Sequence, residues 1–151
     1  MSVGIGYDSH RFADGRRLVL GGVEIDHPRG LAGHSDADVL THAVIDALLG
    51  AAGMGDIGTL FPDDEDRWRD ADSIDLLRTV VGTVAGRIVN VDATLVCEEP
   101  RIGPYRVEME RILAEATSAR VSVKATTNEG MGWVGRGEGI ACMAVAQLST
   151  E

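Results

Sequence analysis

An α+β fold of the broad α/β class is predicted, with one sheet and its helices packed on a single face. Three features of the 151-residue chain predict it. Strand-like and helix-like segments run in the order strand, hairpin, helix, helix, strand, helix, strand, strand, which builds one sheet with helices laid over it. Val3 to Phe12 opens on a period-two alternation, as a strand with unlike faces requires. Ala37 to Ala52 carries Leu40, Ala43, Val44, Ala47, Leu48 and Ala51 at about 100° per residue, the pattern of a helix with one buried side. No Pro/Ser-rich linker, composition shift or internal repeat divides the chain, so residues 1–151 are expected to form a single domain.

The remaining elements follow in order. Asp14-Gly15 is a turn signal. Arg17 to Leu20 and Val23 to Ile25 read as a hairpin around Gly21-Gly22, and His27 to Gly30 as loop. The helix from Ala37 to Ala52 has Ser35 as its expected N-cap, with Asp38 three residues on in a capping-box arrangement, and Gly53 and Gly55 to stop it. Asp63 to Asp72 is charged and reads as a surface loop. Ser73 is expected to cap a second helix, Ile74 to Ala85, in which Ile74, Leu77, Val80, Val81 and Val84 recur at helical spacing. Ile88 to Cys97 reads as a strand, Glu98 to Gly103 as a loop, and Pro104 to Ser118 as a third helix. Val121 to Thr127 reads as a strand, Asn128 to Gly139 as a glycine-rich loop, and Ile140 to Leu148 as an apolar final strand.

Composition excludes several functions. Acidic residues number 24 against 14 basic ones, for a formal charge of −10. Nucleic-acid binding is driven by phosphate neutralisation, so that balance argues against it. Aromatic residues make up only 4%, which leaves little surface for stacking bases. No run of 18 apolar residues and no signal peptide occurs, so a cytoplasmic protein without membrane spans is expected. Cys97 and Cys142 lie apart in apolar segments and read as buried, reduced thiols.

The chemistry concentrates between Gly33 and Asp63. Asp38, His42 and Asp46 repeat every four residues on the helix side opposite the apolar one. His34 and Ser35 sit where that helix begins, a position that favours anions. Asp56 and Asp63 lie in loops beyond its end, where side chains can meet a ligand. Asp8 and His10 share one side of the first strand. With His42 they would supply a carboxylate and two imidazoles, the donor set of a catalytic zinc site with an open fourth position. Asp46, one turn past His42, could orient that ring. Spacing alone leaves open whether residue 42 returns to residues 8 and 10, or whether His42 is a surface or hydrogen-bonded histidine.

Several motifs carry a resemblance. They are Gly6-Tyr7-Asp8-Ser9-His10-Arg11-Phe12, Gly33-His34-Ser35-Asp36 with Asp38, His42, Asp46 and Ala47, Gly55-Asp56-Ile57-Gly58 with Phe61-Pro62-Asp63, Lys124-Ala125-Thr126-Thr127 with Glu129, and Gly135-Arg136-Gly137-Glu138-Gly139. In this order, and over essentially the whole chain, the sequence resembles the 2-C-methyl-D-erythritol 2,4-cyclodiphosphate synthases. The resemblance implies a homotrimer with active sites between subunits. It implies conversion of 4-diphosphocytidyl-2-C-methyl-D-erythritol 2-phosphate to the 2,4-cyclodiphosphate with release of CMP, in the non-mevalonate isoprenoid pathway.

Site roles follow from the same resemblance. Asp8, His10 and His42 are expected to hold zinc, and magnesium or manganese to bridge the substrate phosphates. Asp8, His10, His34 and Ser35 would meet the substrate at the metal end, with His34 and Thr127 stabilising the transition state. Asp56 and Gly58 would take the ribose hydroxyls. Ile57 and Phe61-Pro62-Asp63-Asp64-Glu65 would border the methylerythritol. Pro100-Arg101-Ile102-Gly103 and Thr126-Thr127-Asn128-Glu129 would enclose the cytidine phosphate from the other side. At the trimer axis, Arg136 paired with Glu138 would face an isoprenoid diphosphate, with Trp133 along its tail.

The chain departs from the common pattern at Cys97-Glu98-Glu99, where many relatives have Ala-Gln before Pro-Lys, and at Asn128, which replaces a commoner Thr. The transferase domain fused to some relatives is expected to be absent. Two rivals are a metal-dependent phosphohydrolase, in which water attacks, and a non-catalytic nucleotide-binding trimer.

Overall fold

A computed structural model of the chain describes residues 1–150. Strand β1 (Ser2–Ala13) is the spine of the sheet. It pairs antiparallel with β7 (Gly139–Ser149) along ten residues and, at its far end, with the two-residue strand β4 (Gly30–Leu31). Strand β5 (Arg87–Val96) lies beyond β7, and β6 (Arg120–Thr126) pairs parallel with β5, giving the order β4-β1-β7-β5-β6. Parallel neighbours need a crossover, and α4 (Arg106–Thr117), entered through a 3₁₀ turn at Gly103–Tyr105, supplies it. Strands β2 (Leu18–Leu20) and β3 (Val23–Ile25) form the separate hairpin expected around Gly21-Gly22, both of which have positive φ.

Helix α1 (Val39–Ala52) lies against β1 and β7. Glycine makes that approach possible. A Cβ on Gly6 would lie 1.9 Å from the Ala43 carbonyl oxygen, and one on Gly4 would lie 2.1 Å from that of Ala47. Backbone therefore meets backbone where side chains would hold the two elements apart. Helix α3 (Ser73–Thr83) packs on α1, and α4 packs on α3 and β6, so these three helices cover one face of the sheet. The other face presents Val3, Ile5, Tyr7, Met143 and Val145, between 42% and 72% exposed.

The elements match the expected order, with local differences. Helix α1 begins at Val39, and its N-cap is Asp38 rather than Ser35, because residues 33–37 bend around the site without helical geometry and Ala37 has positive φ. The expected polar side of this helix is not open to solvent. Asp38 and Thr41 are fully buried and His42 nearly so, since the β2–β3 hairpin and α3 cover what the sheet leaves free. The Asp38 carboxylate accepts from the Gly21 and Gly22 N–H groups at 2.9 and 2.8 Å, and from the Thr41 N–H and hydroxyl at 3.0 and 2.7 Å. Burial and the charge of Asp36 nevertheless raise its pKa against those donors. The second helix is capped by Asp72, whose side chain accepts from Ile74 N, and Ser73 is its first residue. Gly30 belongs to an edge strand rather than loop, and the glycine-rich segment contains a short helix, α5 (Gly132–Gly135).

The two cysteines are free and buried, as expected. Burial and the charge of Glu98 push the Cys97 thiol up to about 11, which keeps it protonated and unreactive. Among the described residues, no helix is long and apolar enough to cross a membrane.

Gly6→Ala should separate β1 from α1 and lower stability by about 3 kcal/mol or more, at or above the usual range for overpacking, because the obstructing atom is backbone. Urea unfolding of the variant beside wild type measures the loss.

Candidate active site

Side chains on β1 alternate, so the register that turns Gly4 and Gly6 toward α1 turns Asp8 and His10 the same way. His42, on the facing side of α1, comes to meet them. Asp8 Oδ2 lies 2.9 Å from His10 Nε2 and 3.2 Å from His42 Nδ1, and the two ring nitrogens are 3.4 Å apart. A four-coordinate ion with bonds of about 2.0–2.1 Å spaces its ligands by about 3.3 Å, so these three atoms outline one face of such a tetrahedron.

The donor set also fits a cation. His10 Nδ1 lies 2.8 Å from the Ala32 carbonyl, which can only accept, so the ring proton sits on Nδ1 and Nε2 turns a lone pair to the cluster. His42 Nε2 lies 2.8 Å from Ser73 Oγ and 3.2 Å from Ser35 Oγ, which leaves Nδ1 toward Asp8. Charge agrees with this arrangement. Burial drives the Asp8 carboxyl up, but hydrogen bonds and charge from His10 and His42 more than reverse it, so its pKa is lowered. Burial drives the His42 imidazole down, yet Asp8, Asp38 and Asp36 raise its pKa on balance. The field that holds a proton on His42 is one that would hold a metal ion. Among the described residues, this is the cluster able to bind one.

The cluster opens into a cleft of about 560 Å³. Of the residues expected around the substrate, His34, Ser35, Ile57, Gly58 and the Phe61–Asp64 segment line it. Trp68 and Leu76, which sequence reasoning passed over, line it as well. His34 is held by its Nε2, 3.2 Å from the Glu65 carbonyl. Arg16 donates to the carbonyls of Gly33 and Ser35 at 3.0 and 2.6 Å, fixing the loop that carries His34. Asp56 is exposed, and one oxygen of its carboxylate, Oδ1, caps the short helix α2 (Ile57–Leu60), accepting from the Thr59 N–H and hydroxyl. Asp46 does not hydrogen-bond to His42. Its Oδ1 accepts from Ile57 N at 2.7 Å, because the chain after α1 folds back beside that helix's last turns.

The other expected residues lie elsewhere in the protomer. Pro100 to Gly103, Thr126 and Thr127 line a second cleft of about 430 Å³. Glu98, at the departure from the common pattern, accepts from Asn128 N at 2.7 Å and ties the two loops together. The Glu129 N–H donates to Thr127 Oγ1. Register places Asp8 opposite Cys142, Cys142 opposite Leu95, and Leu95 opposite Ala125. Three strand spacings, about 14 Å, thus separate the metal cluster from the Thr126-Thr127 end of β6. Arg136 Nε and Glu138 Oε2 pair at 2.8 Å on the surface. Trp133 lies with Ser9, His10, Arg11 and Glu138 around a smaller dimple of about 260 Å³, which shares His10 with the first cleft.

Comparison with known proteins is decisive at the level of family. The YgbB family model matches residues 1–149. The chain belongs to the YgbB family. A relative from Symbiobacterium thermophilum, named 2-C-methyl-D-erythritol 2,4-cyclodiphosphate synthase, is 60% identical and is matched over 99% of both chains. Among solved structures, the bifunctional IspDF of Campylobacter jejuni superposes with a TM-score of 0.92 at 38% identity, over 96% of this chain and 41% of that one. The CDP complex of Plasmodium falciparum IspF superposes at 0.82 with 31% identity, over 96% and 93% of the two chains. In this YgbB chain the Asp8–His10–His42 cluster opens into one cleft, and Thr127 lines another.

Purified protein should retain one divalent ion per chain after dialysis, and His10→Ala should retain none while keeping its far-UV circular dichroism. Elemental analysis checks this. His10 is the cleaner position because His42 is buried and its removal would also cost packing.

Proposed function

We propose that this protein converts 4-diphosphocytidyl-2-C-methyl-D-erythritol 2-phosphate to 2-C-methyl-D-erythritol 2,4-cyclodiphosphate and CMP, as a synthase of the non-mevalonate isoprenoid pathway. The observation that carries the reading is the Asp8–His10–His42 cluster opening onto the cleft that holds His34 and Ser35. Full-length similarity to proteins of that name supports it.

In this reaction an oxygen of the 2-phosphate attacks the β-phosphorus, a new P–O bond closes the ring, and the bond to the CMP oxygen breaks. The nucleophile is already an anion, so no strong general base is required. What opposes reaction is repulsion between phosphates and the entropy of bringing the chain ends together. Zinc at Asp8, His10 and His42, with magnesium or manganese between the phosphates, would supply positive charge that a chain of net charge −10 otherwise lacks. His34 and Ser35 orient the phosphates beside the cluster, and the Arg16 clamp keeps their loop from moving away. The Phe61 and Trp68 rings, packed edge to face at 4.8 Å, give the methylerythritol an apolar wall. Thr127 offers a hydroxyl to charge that develops as the CMP bond breaks.

Within one protomer Thr127 lies three strands from His34's cleft, so a site using both is built between subunits. We assign the partner surface to the uncovered sheet face. A solvated face of an antiparallel sheet is ordinarily polar, yet this one exposes Val3, Ile5, Tyr7, Met143 and Val145. A homotrimer closing three such faces on one another brings the second cleft of each chain to the first cleft of its neighbour. Light scattering should then give about 48 kDa, three times the 16.0 kDa chain.

The reaction is tested by incubation with substrate in ¹⁸O water and a divalent metal. CMP and cyclic diphosphate should form in equal amounts, without solvent oxygen in either. A linear product carrying the label would identify a phosphohydrolase instead, and no turnover would identify a binding protein. Thr127→Val should lower kcat by about 10²-fold, as loss of one donor to developing charge does, with a smaller effect on KM.

A further inference from the structure

The imidazole of His42 has two nitrogens, and only one can face Asp8 and His10. Which of them carries the proton depends on the group behind the ring. That group is Ser73, fully buried, its Oγ 2.8 Å from His42 Nε2. A hydroxyl has a single proton to give. The proton of Ser73 goes to Asp36 Oδ1 in a short hydrogen bond, so its lone pairs are what His42 meets. Nε2 must therefore be the protonated nitrogen, and Nδ1 the one with a lone pair directed at the cluster.

We infer that Ser73, braced by Asp36, is the positioning residue that sets the tautomer and angle of the His42 ring. The inference deepens the metal reading of Asp8, His10 and His42 and rests on it. Asp36 is itself immobilised. Its Oδ2 accepts from Ser73 N at 3.0 Å and its Oδ1 from Asp38 N at 3.1 Å, so it bridges the starts of α3 and α1. Carboxylate, hydroxyl and imidazole form a chain whose two ends are fixed to helices. Ser35 is the competing partner, but its Oγ stands farther from Nε2, at 3.2 Å, and already accepts from Ala37 N. Asp46, the neighbour on the same helix, is engaged with Ile57 N. A partner that accepts from the distal nitrogen makes the ring a better ligand and spares it reorientation when metal arrives.

The test uses the purified full chain and zinc alone. Competition with a chromogenic chelator should show Ser73→Ala binding zinc about 10- to 100-fold more weakly than wild type, the usual loss when such an outer partner is removed. Asp36→Asn should weaken binding in the same direction, and Ser35→Ala should weaken it less than Ser73→Ala. In metal-free wild type, at a pH high enough that the His42 ring carries a single proton, long-range ¹H–¹⁵N spectra should show that proton on Nε2, and in Ser73→Ala a mixture of tautomers. Zinc affinity of folded Ser73→Ala indistinguishable from wild type overturns the inference. So does a larger loss in Ser35→Ala, or a singly protonated wild-type ring with its proton on Nδ1. If Ser73→Ala fails to fold, Asp36→Asn and the wild-type spectrum decide. If wild type takes up no zinc, the metal reading falls by itself, and the spectrum still reports whether Ser73 sets the ring.

Discussion

The contact between β1 and α1 is the constraint on which the rest of the molecule depends. Two glycines, two residues apart on the strand, let it press directly on helix backbone at Ala43 and Ala47. That fixes both the separation and the register of the two elements. Strand periodicity then carries the same inward direction to Asp8 and His10, and the helix presents His42 one residue before Ala43. A metal site needs its donors placed within a few tenths of an ångström, and here that placement comes from elements whose spacing side-chain rotamers cannot relax. The loops complete the cleft, and even these are tethered, at Gly33 and Ser35 by Arg16 and at His34 by the Glu65 carbonyl.

Electrostatics explain why the site has this composition. The chain is strongly acidic, and its proposed substrate is a polyphosphate. Long-range attraction cannot bring the two together, so positive charge has to be created locally. The acidic residues near the site contribute to that. Asp8, Asp36 and Asp38 make the surroundings of His42 favourable to a cation, as its raised pKa records. The same carboxylates that would repel a bare phosphate thus favour a cation beside His42.

Much of this was legible in the sequence, and the failures share a cause. Alternation and helical spacing located the strands, the hairpin and the helices, because each of these patterns reports on one buried face. The reading of α1 as one-sided failed because the helix is covered on both sides, and a buried Asp38 looks identical in sequence to an exposed one. Ser35 and Ser73 both looked like caps, since a hydroxyl before an apolar helix usually is one. Here Asp38 and Asp72 perform the capping, and the hydroxyls turn to His42 instead. Asp46 looked like the partner of His42 because it stands four residues away on the same helix. The actual partner is 31 positions distant in the chain, and no spacing rule reaches that far. Nor could a single chain's pattern say that Thr127 and His34 lie in different clefts, since that follows from strand order rather than from any local signal.

The carboxylate of Asp38 joins the β2–β3 turn to the first turn of α1 through four hydrogen bonds. No one of them can be given up alone. If the turn lifts away, a buried charge loses two donors at once and the helix start is left with an ion that must find water. If the helix frays, the turn loses its anchor. The Gly21, Gly22 and Thr41 amides, from two elements twenty residues apart in the chain, therefore form one cooperative unit of hydrogen exchange. Solvent reaches all three in a single opening event, and that event also exposes the residues just before α1 on which the metal cluster is braced.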